Sequence, residues 1–280
     1  MTRLLLLATG DTIAQQPRLA RVATGADLLA LVGASDVDAE DVLAEPSWDT
    51  SPATMLSLAR RVRVALREDG YAGVVVTHGV DTMAETAFLT ELMAGSPVVF
   101  TGALRYLDDP TTDGPRNLAD ALAAVRTAPG ATLCFGGELH TPRWATFTGS
   151  GFTSAPFPAD PLPPAAGNPE SNVALIKTYP GMPEALLRTA VDLGARGIVL
   201  EGTGSGNVPV ELFTTIAELT EWDIPVVIAS RTHWRGDPGL AATIGAIGSR
   251  GLPPDQARVA LMVALAAGGV REVRHWFTHL

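Results

Sequence analysis

The sequence predicts an α/β fold, with a parallel sheet in a larger N-terminal domain followed by a smaller α/β C-terminal domain. Short runs rich in leucine or β-branched residues alternate with segments of helical periodicity. A proline-rich stretch interrupts this alternation, and the same pattern then resumes on a smaller scale. Runs that are apolar throughout are typical of strands covered by helices on both faces of a sheet.

In the first domain, four apolar runs are predicted to be buried strands: 3–8, 73–77, 97–101 and 131–135. Residues 52–68 place Met55, Leu58, Val62 and Ala65 on one stripe, which predicts an amphipathic helix that covers the sheet. The only cysteine, Cys134, falls in the fourth run, so no intramolecular disulfide can form and a reducing compartment is favoured.

The segment 157–169 contains five prolines and is predicted to link two domains. The predicted bounds are 1–160 for the N-terminal catalytic domain, 161–171 for the linker and 172–280 for the C-terminal domain. In the second domain, strands are predicted at 173–179, 197–201 and 225–229, with helices near Pro183, Val210 and Pro254.

Composition restricts the partners. The 280 residues are 46% hydrophobic, enough for a large core, and carry a formal charge of −10 with a pI near 4.9. An acidic chain lacks the basic face that phosphates attract, so we expect no nucleic acid and no acidic membrane as partner. The apolar run 4–8 is too short for a signal core, and no apolar stretch reaches about 20 residues. We therefore expect a soluble, cytoplasmic protein with a small-molecule substrate.

Two polar motifs follow the first two strands, ATGDTIA at 8–14 and THGVDT at 77–82. Ligands of open parallel sheets bind at the carboxyl ends of strands, near a reversal of strand order, so both motifs are expected in one crevice. Asp81 would lie near the positive end of the next helix, where it either caps the helix or has a functional role. That role would be to bind a substrate ammonium group or, as a catalytic residue, to orient a proton acceptor. Thr82 and Glu85 have the spacing of a capping box and are predicted to be structural.

These motifs resemble TGGTI and HGTDT of the bacterial L-asparaginase and glutaminase family. The resemblance continues through 101–122, 201–209 and 226–236 and so covers nearly the whole chain. It implies a larger N-terminal domain that bears most of the active site and a smaller C-terminal domain. It also implies active sites completed by a neighbouring subunit in a homodimer or homotetramer, without a cofactor.

The resemblance also assigns roles to single residues. Thr12 matches the family's first threonine, the covalent nucleophile toward a side-chain amide. Ser47 matches the serine that contacts the substrate's α-carboxylate, with a plain turn serine as the alternative. Asp81 matches the aspartate after the second threonine. Gly79, beside it in the second motif, would line the substrate pocket.

The rest of the family's catalytic relay is altered. Val80 stands where the family has its second threonine, so the position lacks a hydroxyl. Phe147, within RWATFT, stands where the family has its catalytic lysine. The chain's only lysine, Lys177, lies in the second domain and is interpreted as a charge at the end of a strand. Two of the three members of the threonine, lysine and aspartate relay are therefore missing.

The first loop departs from the family as well. Asp11 replaces the second glycine of TGGTI, and it either forms a turn, the favoured interpretation, or supplies the lost base. Residues 15–24 lack the family's lid tyrosine and carry Arg18 and Arg21 instead. Four apolar residues would make the pocket less polar than one built for asparagine: Trp48, Val80, Trp144 and Phe147. The alternative is that the two tryptophans pack against the core or a subunit interface.

Other signals are weak. Gly202, Gly204 and Gly206 resemble a dinucleotide loop, but Asn207 stands where the third glycine is needed. His275 and His279 have a four-residue spacing without an acidic third ligand, so no metal is predicted.

The leading hypothesis is an amidohydrolase that uses Thr12 as nucleophile and is weak on free L-asparagine. One alternative is a repurposed enzyme that acts on a larger, less polar substrate with Asp11 and Thr12. The other is a ligand-binding homologue without catalysis.

Overall fold

A computed structural model describes residues 3–43, 45–95, 97–128, 130–155, 165, 167–232 and 239–280. The chain divides into two compact units, Met1–Ala159 and Asp160–Leu280. The predicted α/β architecture with a smaller second domain is confirmed. The predicted domain bounds and linker stay predictions, and residues 161–164 and 166 of the linker lie outside the described residues.

The first unit is built on a six-stranded sheet with the order β4-β1-β5-β6-β7-β8. Strands β2, β3, β9 and β10 of this unit lie outside that sheet. In chain order, the strands of the unit are β1 (Leu4–Ala8), β2 (Gln15–Gln16), β3 (Arg21–Val22), β4 (Val37–Asp41), β5 (Gly73–Thr77), β6 (Val98–Thr101), β7 (Ala131–Phe135), β8 (Glu138–His140), β9 (Thr146–Phe147) and β10 (Phe152–Thr153). Its helices are α1 (Gly25–Leu31), α2 (Pro52–Arg67), α3 (Met83–Ala94) and α4 (Gly114–Ala124).

The strand order reverses at β1. The chain passes from β1 to β4 on one side and then returns to β5 on the other, with all three strands parallel. The carboxyl ends of β1 and β5 therefore flank the switch point, which is where a parallel sheet binds ligands.

Alternate residues of the central strands form two separate cores. Leu5 and Leu7 face a core that α2 and α3 cover, whereas Leu4 and Leu6 face a core that α1 and α4 cover. The two-residue period of a strand produces this division. The central strands are buried along their whole length because helices cover both faces of the sheet.

The second unit contains a four-stranded parallel sheet with the order β11-β12-β13-β14. Its strands are β11 (Val173–Lys177), β12 (Gly197–Gly202), β13 (Val226–Ser230) and β14 (Ile247–Gly248). Its helices are α5 (Ala185–Asp192), α6 (Phe213–Glu221), α7 (Gly239–Thr243), α8 (Pro254–Ala264) and α9 (Val270–Phe277). Lys177 is the last residue of β11 and lies 3.5 Å from Glu201, so it is the predicted charge at a strand end.

Among the described residues, no helix is both long and apolar enough to cross a membrane.

Candidate active site

Hydrogen bonds between Thr9 and Thr77 join the two motif loops where β1 and β5 end. The Thr9 hydroxyl donates to the Thr77 carbonyl at 2.7 Å, and the Thr9 amide donates to the Thr77 hydroxyl at 3.2 Å. Both threonines are buried, so these bonds fix the spacing of the loops in a water-poor environment. Neither residue stood out in the sequence as a candidate for a role in the site.

Asp11 directs its carboxylate at Thr12. Its Oδ1 accepts hydrogen bonds from the Thr12 amide at 2.6 Å and from the Thr12 hydroxyl at 3.0 Å, while Oδ2 accepts from the Ser47 amide at 2.6 Å. The Asp11 carbonyl also accepts from the amides of Ala14 and Gln15. The backbone of Asp11 thus forms a turn while its buried carboxylate contacts the predicted nucleophile, so the two interpretations of this residue are compatible.

Ser47 connects the first motif to the second. Its hydroxyl donates to Oδ2 of Asp81 at 3.1 Å, and its carbonyl accepts from the Thr82 hydroxyl at 2.8 Å. Ser47 begins a short 3₁₀ turn, Ser47–Asp49, and is buried, whereas Asp81 is exposed. The structure therefore brings Asp11, Thr12, Ser47 and Asp81 into one hydrogen-bonded chain.

The predicted capping box at Thr82 and Glu85 is wrong. Thr82 does occupy the position before α3, but its side chain makes no capping hydrogen bond. The hydroxyl donates to the Ser47 carbonyl instead. A partner 35 residues away in sequence has replaced the local one, and Thr82 consequently fixes the Ser47 turn against the second motif.

Gly79 provides the space that Asp11 occupies. A Cβ built on Gly79 would collide with Oδ2 of Asp11 and with the Ser47 hydroxyl. The preceding His78 is buried and donates from Nδ1 to the Gly79 carbonyl at 2.8 Å. Burial lowers the pKa of His78, against the opposing effects of that hydrogen bond and of the charges of Asp11 and Asp81. His78 therefore stays neutral at pH 7 and shapes the loop.

Residues after β6 pack against the second motif. Gly102 lies so close to the His78 carbonyl that a side chain there would collide with it. The Asn117 side chain donates to the Gly102 carbonyl at 2.8 Å, and the Asp113 carboxylate accepts from the Leu104 amide. Asn117 and Asp113 fall within the 101–122 segment of the resemblance, but no motif in the sequence indicated a role for either.

Val80 and Phe147 pack against the core that α2 and α3 cover. Both are half-buried, and the Phe147 ring lies 5.4 Å from that of Phe152. The two residues that are predicted to stand at relay positions are therefore part of the apolar packing.

The tryptophans lie in different environments. Trp144 is half-buried, with the Arg143 guanidinium 5.3 Å from its ring, whereas Trp48 is 68% exposed. The apolar pocket predicted from Trp48, Val80, Trp144 and Phe147 stays a prediction.

The first loop forms a small antiparallel hairpin of β2 and β3. Arg18 donates its backbone amide to Asp108, and the Arg21 guanidinium pairs with Asp27. Both arginines are exposed and direct no hydrogen bond to the Asp11 and Thr12 pair. Within the described ranges, no group of three or more histidine, cysteine or acidic residues could hold a metal ion.

The fold and these loops define the chain as an α/β protein with a threonine and two carboxylates at the switch point of its larger sheet. A family model of the asparaginase N-terminal domain matches residues 3–174, and a model of the glutaminase/asparaginase C-terminal domain matches residues 172–277. The chain therefore belongs to the asparaginase family of amidohydrolases.

Individual relatives agree with this assignment. The probable L-asparaginase of Deinococcus radiodurans is 33% identical, over 99% of this chain and 98% of that protein. The L-asparaginase 2-1 of Saccharomyces cerevisiae is 31% identical, over 80% of this chain and 72% of that protein. The structure of the thermostable L-asparaginase from Thermococcus kodakarensis superposes with a TM-score of 0.84 at 26% identity, over 98% of this chain and 96% of that one.

Proposed function

We propose that this chain hydrolyses a side-chain amide with Thr12 as nucleophile and Asp11 as general base. The observation that carries this proposal is the 3.0 Å hydrogen bond from the Thr12 hydroxyl to Oδ1 of Asp11. A hydroxyl within hydrogen-bonding distance of a base is the arrangement that nucleophilic catalysis requires. Asp11 thus supplies the proton acceptor that Val80 and Phe147 no longer provide.

The reaction then proceeds in two halves. The Thr12 oxygen attacks the amide carbon as its proton passes to Asp11, and the tetrahedral intermediate collapses when Asp11 returns the proton to the leaving ammonia. The product of this half is an ester on Thr12. Water attacks that ester, loses its proton to Asp11, and releases the carboxylic acid while Thr12 regains its hydrogen.

Backbone amides of the second motif would stabilise the oxyanion. In the part of the chain that the structure describes, the amides of Gly79 and Val80 donate no hydrogen bond. Gly79 is buried and Val80 half-buried, so an oxyanion beside them would be poorly hydrated, and a fixed donor is strongest in such an environment. Asp81 would hold an ammonium group of the substrate through its exposed carboxylate.

We expect slow turnover of free L-asparagine, since two relay residues are replaced by apolar ones. The same replacement favours a second candidate, a related reaction on a larger, less polar substrate. The observation behind this second candidate is that Val80 and Phe147 join a common apolar cluster.

Ammonia release from a panel of primary amides, including asparagine, glutamine and aliphatic amides, tests the proposal. Thr12→Ala should abolish release, whereas Thr12→Ser keeps a hydroxyl and should retain part of it. Thr127→Ala changes an exposed threonine in the turn after α4 and is the matched control. Ammonia release that survives Thr12→Ala would refute the nucleophile. A wild-type chain that binds amides without releasing ammonia would indicate the non-catalytic alternative.

A cytoplasmic location and a homo-oligomeric assembly belong to the same proposal. The buried single cysteine supports a reducing compartment, and a solved asparaginase of Campylobacter jejuni with the same fold, TM-score 0.85, is described as probably cytoplasmic.

A further inference from the structure

We propose that Asp11 determines substrate specificity by excluding a carboxylate from the site, so that the substrate is an amide that carries a primary amine and no neighbouring acid group. This inference rests on the proposed amidase function for its choice of amide. It departs from the family resemblance, which implies that Ser47 contacts a carboxylate of the substrate.

The donors beside Ser47 and Thr12 are already used, and the proposed mechanism assigns the remaining amides, of Gly79 and Val80, to the oxyanion. The amides of Ser47 and Thr12 both point at Asp11, each at 2.6 Å. A carboxylate binds through short, charge-assisted hydrogen bonds from such donors. The chain's own carboxylate therefore occupies this place, within hydrogen-bonding distance of the predicted nucleophile.

Asp11 is also held too tightly to be displaced. Asp11 is 2% exposed, and its Oδ2 occupies the space beside Gly79 where any other residue would have a Cβ. The Ser47 hydroxyl fills the other part of that space. A ligand carboxylate would have to remove three hydrogen bonds from Asp11 and leave a buried charge unpaired.

The charge of the site opposes a further anion. Asp11 and Asp81 both contact Ser47, one at its amide and the other at its hydroxyl. Over the described ranges, no arginine or lysine forms an ion pair with either carboxylate. His78, the adjacent imidazole, is kept neutral by burial, which lowers its pKa. A third carboxylate would therefore meet uncompensated repulsion.

The exposed carboxylate of Asp81 fits a cation. It accepts one hydrogen bond from Ser47 and retains acceptor capacity toward solvent, since an ionised carboxylate can accept about four. A substrate that places an ammonium group at Asp81 and an amide at Thr12 would be a short ω-amino amide. One such compound is 3-aminopropanamide, which is asparagine without its α-carboxylate.

Calorimetric titration of the Thr12→Ala protein with 3-aminopropanamide and with L-asparagine tests this specificity without turnover. We expect the amine amide to bind more tightly, on the order of a hundredfold, because like charges placed together in a poorly hydrated site repel strongly. Adding Asp11→Gly should free the Ser47 amide and reverse the preference. Adding Asp11→Asn, which keeps the shape and removes the charge, should reduce the preference for 3-aminopropanamide.

Asp49→Asn is the matched control, because it removes an exposed carboxylate two residues after Ser47 and should leave the preference unchanged. Equal or tighter binding of L-asparagine by the Thr12→Ala protein would overturn the inference. Failure to bind either ligand, or a preference unchanged by Asp11→Gly, would overturn it too. If the wild type released no ammonia while selective binding persisted, only the proposed hydrolysis would fail.

Discussion

Asp11 and Gly79 act together at the scale of single residues, because the carboxylate of one fills the space that the other leaves open. In that position the carboxylate accepts hydrogen bonds from both the Thr12 hydroxyl and the Ser47 amide. In the proposed mechanism, this one side chain would affect both the activation of Thr12 and the charge of the pocket. Replacing either residue should therefore change the chemistry more than the fold.

Asp11→Asn should lower the rate of ammonia release about 100-fold to 10,000-fold, since an amide cannot accept the Thr12 proton as a base. The comparison is of kcat between wild type and variant on whichever amide the wild type cleaves. Asp49→Asn provides the control for a lost negative charge nearby. A kcat within a few-fold of wild type would exclude Asp11 as the base.

Gly79→Ala should lower the free energy of unfolding by about 1–3 kcal/mol, because its Cβ overlaps Asp11 and Ser47 in a buried setting. It should also reduce ammonia release by displacing the Asp11 carboxylate. Gly151→Ala is the control, because no atom lies within 4 Å of its added Cβ. Urea unfolding of both variants measures the effect. Equal stability of the Gly79→Ala and Gly151→Ala variants would show that the loop at Gly79 rearranges to accommodate the added Cβ.

At the scale of elements, strands β1 and β5 position the site and could be predicted from sequence. Their runs are apolar throughout, and the predicted bounds agree with the structure within a residue. The edge strand β4 was missed because its residues, VDAED, are half-buried or exposed and lack an apolar run. The strand β8, antiparallel and also at an edge, was missed for a similar reason.

The orientation of side chains within the site could not be predicted in the same way. The partner that fixes the Asp11 carboxylate, Ser47, lies 36 residues away, and local spacing contains no information about it. The same limit explains the wrong capping box at Thr82. By contrast, a motif indicated Thr12, the proposed nucleophile, and Thr12 follows the carboxyl end of β1 as that motif predicts.

Helix α3 carries a carboxyl group that should make stability depend on pH. Glu91 has an Oε2 atom that is buried and lacks a hydrogen bond to any described residue, and burial raises its pKa to about 7 against the opposing charge of Arg143. Its pKa in the folded protein exceeds the unfolded value of 4.5. The stability that protonated Glu91 contributes is therefore complete below pH 4.5 and is lost as the pH rises through 7.

Glu91→Gln removes this titration. Relative to wild type, the variant should gain free energy of unfolding between about pH 5 and pH 8, by up to about 3 kcal/mol. Urea unfolding of both proteins at the two pH values gives the difference. A difference that is constant with pH, or that shrinks toward the higher pH, would contradict the assigned titration.

Strand β9 and the loop after β5 hold Phe147 and Val80, the two apolar residues predicted to stand at relay positions. Val80→Thr with Phe147→Lys should raise ammonia release from 3-aminopropanamide about tenfold or more, because the pair restores the family's hydroxyl and amine. It should also reduce stability by about 1–3 kcal/mol, since polar groups then contact the core cluster. Val80→Ala with Phe147→Leu disturbs the packing without restoring the relay. An equal rate in both double variants would show that Asp11 alone determines activity.

At the scale of the whole molecule, the assembly is expected to be a homodimer or homotetramer. Trp48 is 68% exposed beside Ser47, although tryptophan gains stability by burying about 150–250 Å². We expect sedimentation to give a dimer or tetramer mass and Trp48→Ser to shift the protein toward monomer at low concentration. A wild type that is monomeric at all concentrations would contradict this prediction.

The hydrogen bonds that assemble the site join residues far apart in sequence. The Thr9 and Thr77 pair spans 68 positions, and the bonds of Ser47 to Asp11 and Asp81 span 36 and 34. Closing such long loops costs chain entropy before any contact forms, whereas helices such as α2 form from neighbouring residues. During refolding, helical structure should therefore form before the site does. Ligand binding should be regained last.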